Sequence, residues 1–248
     1  MGILSKRSNK YWSGRAPEFS GLRMNEYESP MRNAYEKFLL EILPDSKKDL
    51  KVLDVGTGAG FFALILNKLG CQVTAVHFSS EMLVQAKKNA EEKGIKDIVF
   101  LQMDAQNLTF PDNTFDFIIT RNVTWIVEDA KKMYYHIHRV LKPGGIMVNI
   151  DANYGKTFKE SDERGEKLVS TTQTIEQQRE RNDISEECYI TEKRRPSWDV
   201  DVLIDLGVSD LRVHLDFNKK LELTGVNPSF TNGLKKDKSH KFAVVAKK

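Results

Sequence analysis

The chain has 248 residues, 40% of them hydrophobic, enough for one sizeable α/β domain with an insertion and too many for global disorder. Lysine plus arginine number 38 against 35 for aspartate plus glutamate, a near-balance that argues against nucleic acid as an obligatory partner. Cys71 and Cys188 lie far apart without metal spacing, and no window holds the roughly 18 apolar residues of a membrane span. The expectations are free thiols, a cytoplasmic protein, no metal and no membrane partner.

Met1 to Ser5 runs at once into Lys6, Arg7 and Lys10, so no signal peptide is expected, and Lys6 departs from the myristoylation pattern. Residues 1–30 carry Tyr11, Trp12, Phe19 and Tyr27, while Gly14, Pro17 and Gly21 are expected to interrupt any long helix. This stretch reads as an N-terminal lid segment. Met31, Ala34, Tyr35, Phe38, Leu39 and Ile42 recur at helical spacing, predicting a helix over 31–43 that ends at Pro44.

From there strands and helices alternate. An apolar strand, residues 51–55, enters the glycine-rich turn Gly56-Thr-Gly-Ala-Gly60, and a helix follows from Phe61 to about Leu69. A second strand spans 72–78, and Ser79 or Ser80 caps a helix that ends at Gly94. Further strands are predicted at 98–103, 115–120 and 146–151, with a helix from Ala130 to Leu141 stopped by Pro143-Gly144-Gly145. Each strand is an apolar run rather than an alternating one, as in a parallel sheet covered on both faces. Residues 152–195 are charged and polar, and read as an insertion of one or two exposed helices that could roof a site beyond the strand ends. Residues 196–248 complete the sheet, with a helix at 198–206 and strands at 211–215 and 242–246. Lys235, Lys236, Lys238 and Lys241 read as a solvated basic loop.

The glycine turn carries the strongest functional pattern. Gly56, Gly58 and Gly60 follow a strand and open a helix, so bare backbone and free N–H groups face a ligand. A dinucleotide fingerprint needs its third glycine where Phe61 stands, so the spacing is G-x-G-x-G instead. Leu53-Asp54-Val55-Gly56-Thr57-Gly58, Asp104-Ala105 after the third strand, and Arg139-Val-Leu-Lys-Pro-Gly-Gly145 before the fifth together resemble the motifs of class I methyltransferases dependent on S-adenosylmethionine (SAM). The resemblance covers residues 30–151 well and the remainder in outline. It implies a Rossmann-like seven-stranded, mostly parallel sheet with helices on both faces, residues 31–151 forming the SAM-binding core, and S-adenosylhomocysteine (SAH) as product.

It also implies roles. Asp54 would anchor the ammonium of the methionine end, bordered by Gly56, Thr57, Gly58 and Gly60. Asp104 would accept from the adenine amino group, with the Ala105 N–H facing a ring nitrogen. Phe78 would adjoin the nucleotide, Met82 and Met103 would pack on the adenine, with plain core packing an equally good explanation for both methionines, and the Arg121 backbone and Asn122 would lie beside the methionyl chain. One position departs from the family: where the second strand should end in a carboxylate for both ribose hydroxyls stands His77, which accepts at most one hydrogen bond. Two expectations follow: ribose binding is weaker than usual, or a neighbour such as Glu81 supplies the carboxylate.

Methyl transfer from a sulfonium needs alignment and exclusion of water more than a base. Candidates beyond the strand ends are Asn122, Asp151 and Tyr154 for orienting or deprotonating an acceptor, and Tyr11, Trp12, Trp125, Asn153 and Tyr154 for enclosing it. For each of them, packing or capping is an equally good explanation. The leading expectation is methylation of a small molecule. Its rivals are a methyltransferase acting on RNA or protein, a SAM-binding protein without turnover, for which His77 speaks, and a dehydrogenase, against which Phe61 and His77 speak.

Overall fold

The computed structural model describes residues 2–164, 173–222 and 240–248. Its sheet is built from β1 (Lys51–Val55), β2 (Gln72–His77), β3 (Val99–Gln102), β4 (Phe115–Arg121), β5 (Leu141–Asp151), β6 (Asp210–His214) and β7 (Phe242–Lys247). The strand order is β3-β2-β1-β4-β5-β7-β6. β1 to β5 run parallel, and β7 enters antiparallel between β5 and β6. The order reverses between β1 and β4, which places a crevice at the carboxyl ends of those two strands.

Both faces are covered. On one, α3 (Met31–Ile42), α4 (Phe61–Lys68) and α10 (Phe217–Glu222) bury Tyr35, Phe38, Phe61, Phe62 and Phe217 in one cluster. On the other, α6 (Ala130–Val140) and α9 (Ser197–Asp205) bury Met133, Tyr134, Ile137 and Leu203. Between β2 and β3 runs α5 (Ser80–Glu92), capped by the Ser79 hydroxyl, which accepts from the Met82 N–H.

Several expectations need correction. The first thirty residues form two helices, α1 (Ile3–Gly14) and α2 (Ala16–Glu28), broken only at Arg15. Pro17 occupies the first turn of α2, where a missing N–H costs no helical hydrogen bond, and the position of Gly21 is open, so neither breaks the helix. β3 is not covered on both faces: as an edge strand it leaves Val99 52% and Leu101 37% exposed. β5 starts at Leu141, not after the glycines, because the bulge between Phe115 and Phe117 lets Leu141 pair with β4. The insertion forms α7 (Tyr154–Glu163) and α8 (Ile175–Glu187), whose Phe158, Arg181, Asn182 and Ile184 are buried rather than exposed. Lys241 is buried, and Lys235, Lys236 and Lys238 lie outside the described residues. Both cysteines are buried free thiols. Among the described residues no helix is long and apolar enough to cross a membrane.

The carboxyl end of β5 is fastened by a buried polar network. The Arg195 guanidinium bridges Asp151 (3.2 Å) and Asp199 (2.7 Å), and Asp199 also accepts from the Tyr134 hydroxyl (2.7 Å). Asp151 further accepts from the Trp125 N–H at 3.0 Å. Burial pushes the Asp151 carboxyl up to about 6, with Arg195 pulling the other way. Removing the cation strands two buried carboxylates, a loss of about 3–5 kcal/mol. Arg195→Ala should therefore lower the midpoint of urea unfolding strongly; an unchanged midpoint would show that the network contributes nothing.

Candidate active site

Beyond the ends of β1, β2 and β4 lies a cleft with about 1490 Å³ of atom-free space, counting its open mouth. Its floor begins at Asp54, whose Oδ2 accepts from the Thr57 hydroxyl (2.7 Å) and the Ala63 N–H (3.1 Å). These bonds hold the carboxylate at the start of the glycine turn, while burial pushes its pKa up to about 6 against their opposing pull. Gly56 has φ +71°, and a Cβ there would run into the Val123 methyls; Gly58 has φ +55° and faces the Phe19 ring. The turn thus needs glycine for its backbone angle and, at Gly56, for space as well.

At the end of β2, His77 is buried and its Nδ1 accepts from the Ser79 N–H at 3.0 Å. Burial lowers its pKa to about 4, so the ring is neutral at pH 7 and its proton resides on Nε2. The side chain therefore offers the cleft a donor, where two hydroxyls would call for an acceptor. Glu81 does not fill the gap. Its carboxylate accepts from Ser13 (2.6 Å), Ser79 and Ser80, which hold it near 2, and it does not line the cleft. Past β3, Asp104 directs Oδ1 to the N–H and side-chain amide of Gln106, at 2.9 and 3.0 Å. Phe78, Met82, Met103 and Ala105 complete this wall.

Past β4, Asn122 adopts φ +55°, a conformation asparagine tolerates better than most residues. Its side-chain oxygen accepts from the Tyr154 hydroxyl (3.2 Å), and its carbonyl from the Trp125 indole (2.9 Å). Trp125 packs edge-on against Tyr154 and Phe158. Arg121 stacks on Tyr35 and Phe61 and reaches Glu26 of α2 at 2.6 Å. Glu26 also pairs with Arg23 at 2.7 Å. Burial pushes the Glu26 carboxyl up, but Arg121 and Arg23 outweigh it and the net shift is downward.

The N-terminal helices close over these strand ends. Glu128 accepts from the Ser5 N–H (3.1 Å) and hydroxyl (2.6 Å), stabilising the first turn of α1 with a negative charge. Arg7 pairs with Glu180 (2.7 Å) and Glu187 of α8, and Ser13 holds Glu81 of α5. Trp12 and Phe19 then face the cleft.

Most of the residues singled out from the sequence do line this cleft, including Asp54, Gly56, Thr57, Gly58, His77, Phe78, Met82, Asp104, Ala105, Arg121, Asn122, Trp12, Trp125 and Tyr154. Four do not reach it. Gly60 turns its α-carbon toward Ala86 of α5. Tyr11 stands behind the wall, Asp151 is enclosed by Arg195, and Asn153 gives its amide to the carbonyls of Thr191 and Lys193. Arg15, Phe19, Arg23, Gln106, Phe158 and Arg181 were missed. The Arg23–Glu26 spacing was readable as a helical pair, but nothing local marks Arg181 in a helix polar on every side.

Residues 53–149 match the family model of a methyltransferase domain. Over this segment, under half of its length, the chain is similar to methyltransferase domains. The chain is 34% identical over 107 residues to an uncharacterized methyltransferase, YcgJ, of Bacillus subtilis, a match covering 43% of this chain and 42% of that one. It is 36% identical over 102 residues to a phosphatidylethanolamine N-methyltransferase of Cereibacter sphaeroides, covering 41% and 50%. The matches thus span half or less of these curated relatives. A SAM-dependent methyltransferase from Aquifex aeolicus shares the fold, with TM-score 0.57, 23% identity, and coverage of 92% of this chain and 97% of that one.

Within the methyltransferase domain, the left-handed turn at Gly56 is the tightest geometric requirement. Gly56→Ala should destabilise the protein by about 1–2 kcal/mol from the backbone angle alone, with the Val123 clash added. In Gly56→Ala/Val123→Ala the clash is relieved and only the angular part should remain after the cost of Val123→Ala itself is subtracted. Urea unfolding of the four proteins in the cycle checks this; strict additivity would refute the contact.

Proposed function

We propose that the protein transfers the methyl group of SAM to a small-molecule acceptor bound under its helical roof. The observation that carries the proposal is the Asp54 carboxylate at the head of a turn whose glycines hold left-handed backbone angles and whose Gly56 has no room for a side chain. The residues present fit the amino-acid half of SAM: Asp54 would hold the ammonium, and Gly56 and Gly58 leave backbone exposed for close approach. They also fit the purine, since Asp104 keeps Oδ2 free of hydrogen bonds among the described residues. At the ribose the fit is partial, because His77 donates where the family accepts.

SAM supplies an activated methyl, whose bond to sulfur breaks as the acceptor's lone pair forms the new bond, leaving SAH. The protein's part is placement and dryness. Asn122, held in its strained conformation and bonded to Tyr154, would orient the acceptor, and the rings of Trp12, Phe19, Trp125 and Phe158 would exclude water. Residues 1–30 and 152–195 would together form the acceptor cap. A cleft roofed this way suits a small acceptor better than RNA or protein. The donor at His77 favours a second reading, SAM binding without turnover; labelled methyl transfer to any acceptor would exclude it.

Asp54 sets a pH dependence. Below about 6 its carboxyl is protonated in the free protein, and an incoming ammonium must first displace that proton. SAM affinity should therefore rise with pH through 6 and level off above it, being roughly tenfold weaker at pH 5 than at pH 7.5. Asp54→Asn should bind weakly and without this slope. Calorimetry at several pH values checks both, and a flat profile in the unaltered protein would remove Asp54 from the ammonium site.

His77→Asp should restore a double acceptor and tighten SAM binding about tenfold, the worth of one charge-assisted bond. Unchanged or weaker binding in the same titration would contradict that assignment of the ribose.

A further inference from the structure

Two arginines on the cleft wall are left with far less negative charge than their burial calls for. Arg181 of α8 is buried, and its hydrogen bonds go to neutral amide oxygens: Nη1 to Gln173 (2.8 Å), and Nη2 and Nε to Asn182 (2.8 and 3.2 Å). Its guanidinium lies 3.8 Å from the centre of the Phe158 ring. Arg15, between α1 and α2, is buried as well. It reaches the Tyr11 hydroxyl at 3.3 Å and one oxygen of Glu18 at 3.2 Å, while its Nε has no partner among the described residues. The Glu18 side chain is itself 32% exposed, so its charge is partly spent on solvent.

The two cations belong to one constellation. The Tyr11 hydroxyl accepts from Arg15 and from the Gln173 amide (3.0 Å), and the Gln173 oxygen accepts from Arg181. Arg15, Gln173 and Arg181 all face the cleft. Burial depresses the Arg181 pKa only to about 10, so the group is cationic at neutral pH. The other two arginines on the wall, Arg23 and Arg121, share the single carboxylate of Glu26. Arg15 has only the part-exposed Glu18, and Arg181 makes no ion pair among the described residues and feels Asp162, which is engaged by the Asn182 amide; buried cations so thinly compensated are expensive to retain and reward any anion that enters. The adjoining wall is aromatic: Phe158 packs on Trp125, and Trp125 on Tyr154, which bonds to Asn122 at the β4 end.

We infer that the acceptor is an acid: a small molecule with an apolar or aromatic body, whose carboxylate or phosphate is held between Arg15 and Arg181 while its nucleophilic atom points toward Asn122. This deepens the proposed function and rests on it. The guanidiniums supply forked donors suited to either anion, and the rings cover the body.

Calorimetric titration with benzoate, phenyl phosphate and neutral benzamide, with and without saturating SAH, tests the inference. Benzoate or phenyl phosphate should bind at least about tenfold more tightly than benzamide. That preference should fall in both Arg15→Gln and Arg181→Gln, while SAM affinity in each changes less than about threefold. The better of the two anions identifies the acid. Equal affinity for benzoate, phenyl phosphate and benzamide, or a preference intact in both variants, overturns the subsite while SAM uptake leaves the functional reading standing. A loss of SAM affinity that parallels the loss of anion affinity also overturns it, since the arginines would then serve SAM's own carboxylate. Absence of SAM and SAH uptake by the unaltered protein sinks the functional reading instead, and the subsite is then decided by the anion preference of the protein alone.

Discussion

Glu26 has no exposure to speak of and two arginines to satisfy. Its carboxylate joins Arg121, at the carboxyl end of β4, to Arg23, on the same helix as itself. The N-terminal helices and the sheet are thereby tied together across the mouth of the cleft. With two guanidiniums on one carboxylate, loss of Glu26 would strand two buried cations. That condition locks α2 over the strand ends, which in turn sets Phe19 against Gly58 and Trp12 along the cleft.

From this closure follows a division of the cleft by charge. Near β1 and β3 stand the carboxylates of Asp54 and Asp104, suited to an ammonium and an exocyclic amine. Under the roof stand Arg15 and Arg181 with aromatic rings around them. A cationic sulfonium and an anionic acceptor would be drawn to different parts of the same cleft, where electrostatic interactions act at a lower dielectric than in bulk water. Between Asp54 and Asp104 in sequence, His77 carries no charge, being a neutral donor whose accepting nitrogen is already taken by the Ser79 N–H.

The core was legible because its signals are local. β1 was read to the residue, since a short strand with Val52, Leu53 and Val55 runs into glycines that need positive φ. Ser79 announced the start of α5 through its cap. The N-terminal helices were missed because Gly14, Pro17 and Gly21 suggested interruption; Pro17 falls where a helix tolerates it, and packing outweighs the roughly 1 kcal/mol cost of Gly21. α10 escaped notice as a helix of only six residues. The burial of Arg181 and Glu26 was not legible, because it depends on partners such as Gln173, 8 positions from Arg181, and Arg121, 95 positions from Glu26, that only the tertiary fold assembles. The strand ends were legible, which is why Asp54, Asp104 and Asn122 stand on the cleft wall, whereas Asp151 and Asn153 turn away to Arg195 and the Thr191 carbonyl, partners distant in sequence.

The account rests on which half of the cleft receives which half of the nucleotide. A diffraction structure of crystals grown with SAH decides it. The amino-acid end should lie on the Asp54–Gly58 turn, the purine between Asp104 and Met82, and the ribose within reach of His77 Nε2. SAH in the reverse orientation, or a cleft that takes up none at millimolar concentration, would contradict the account.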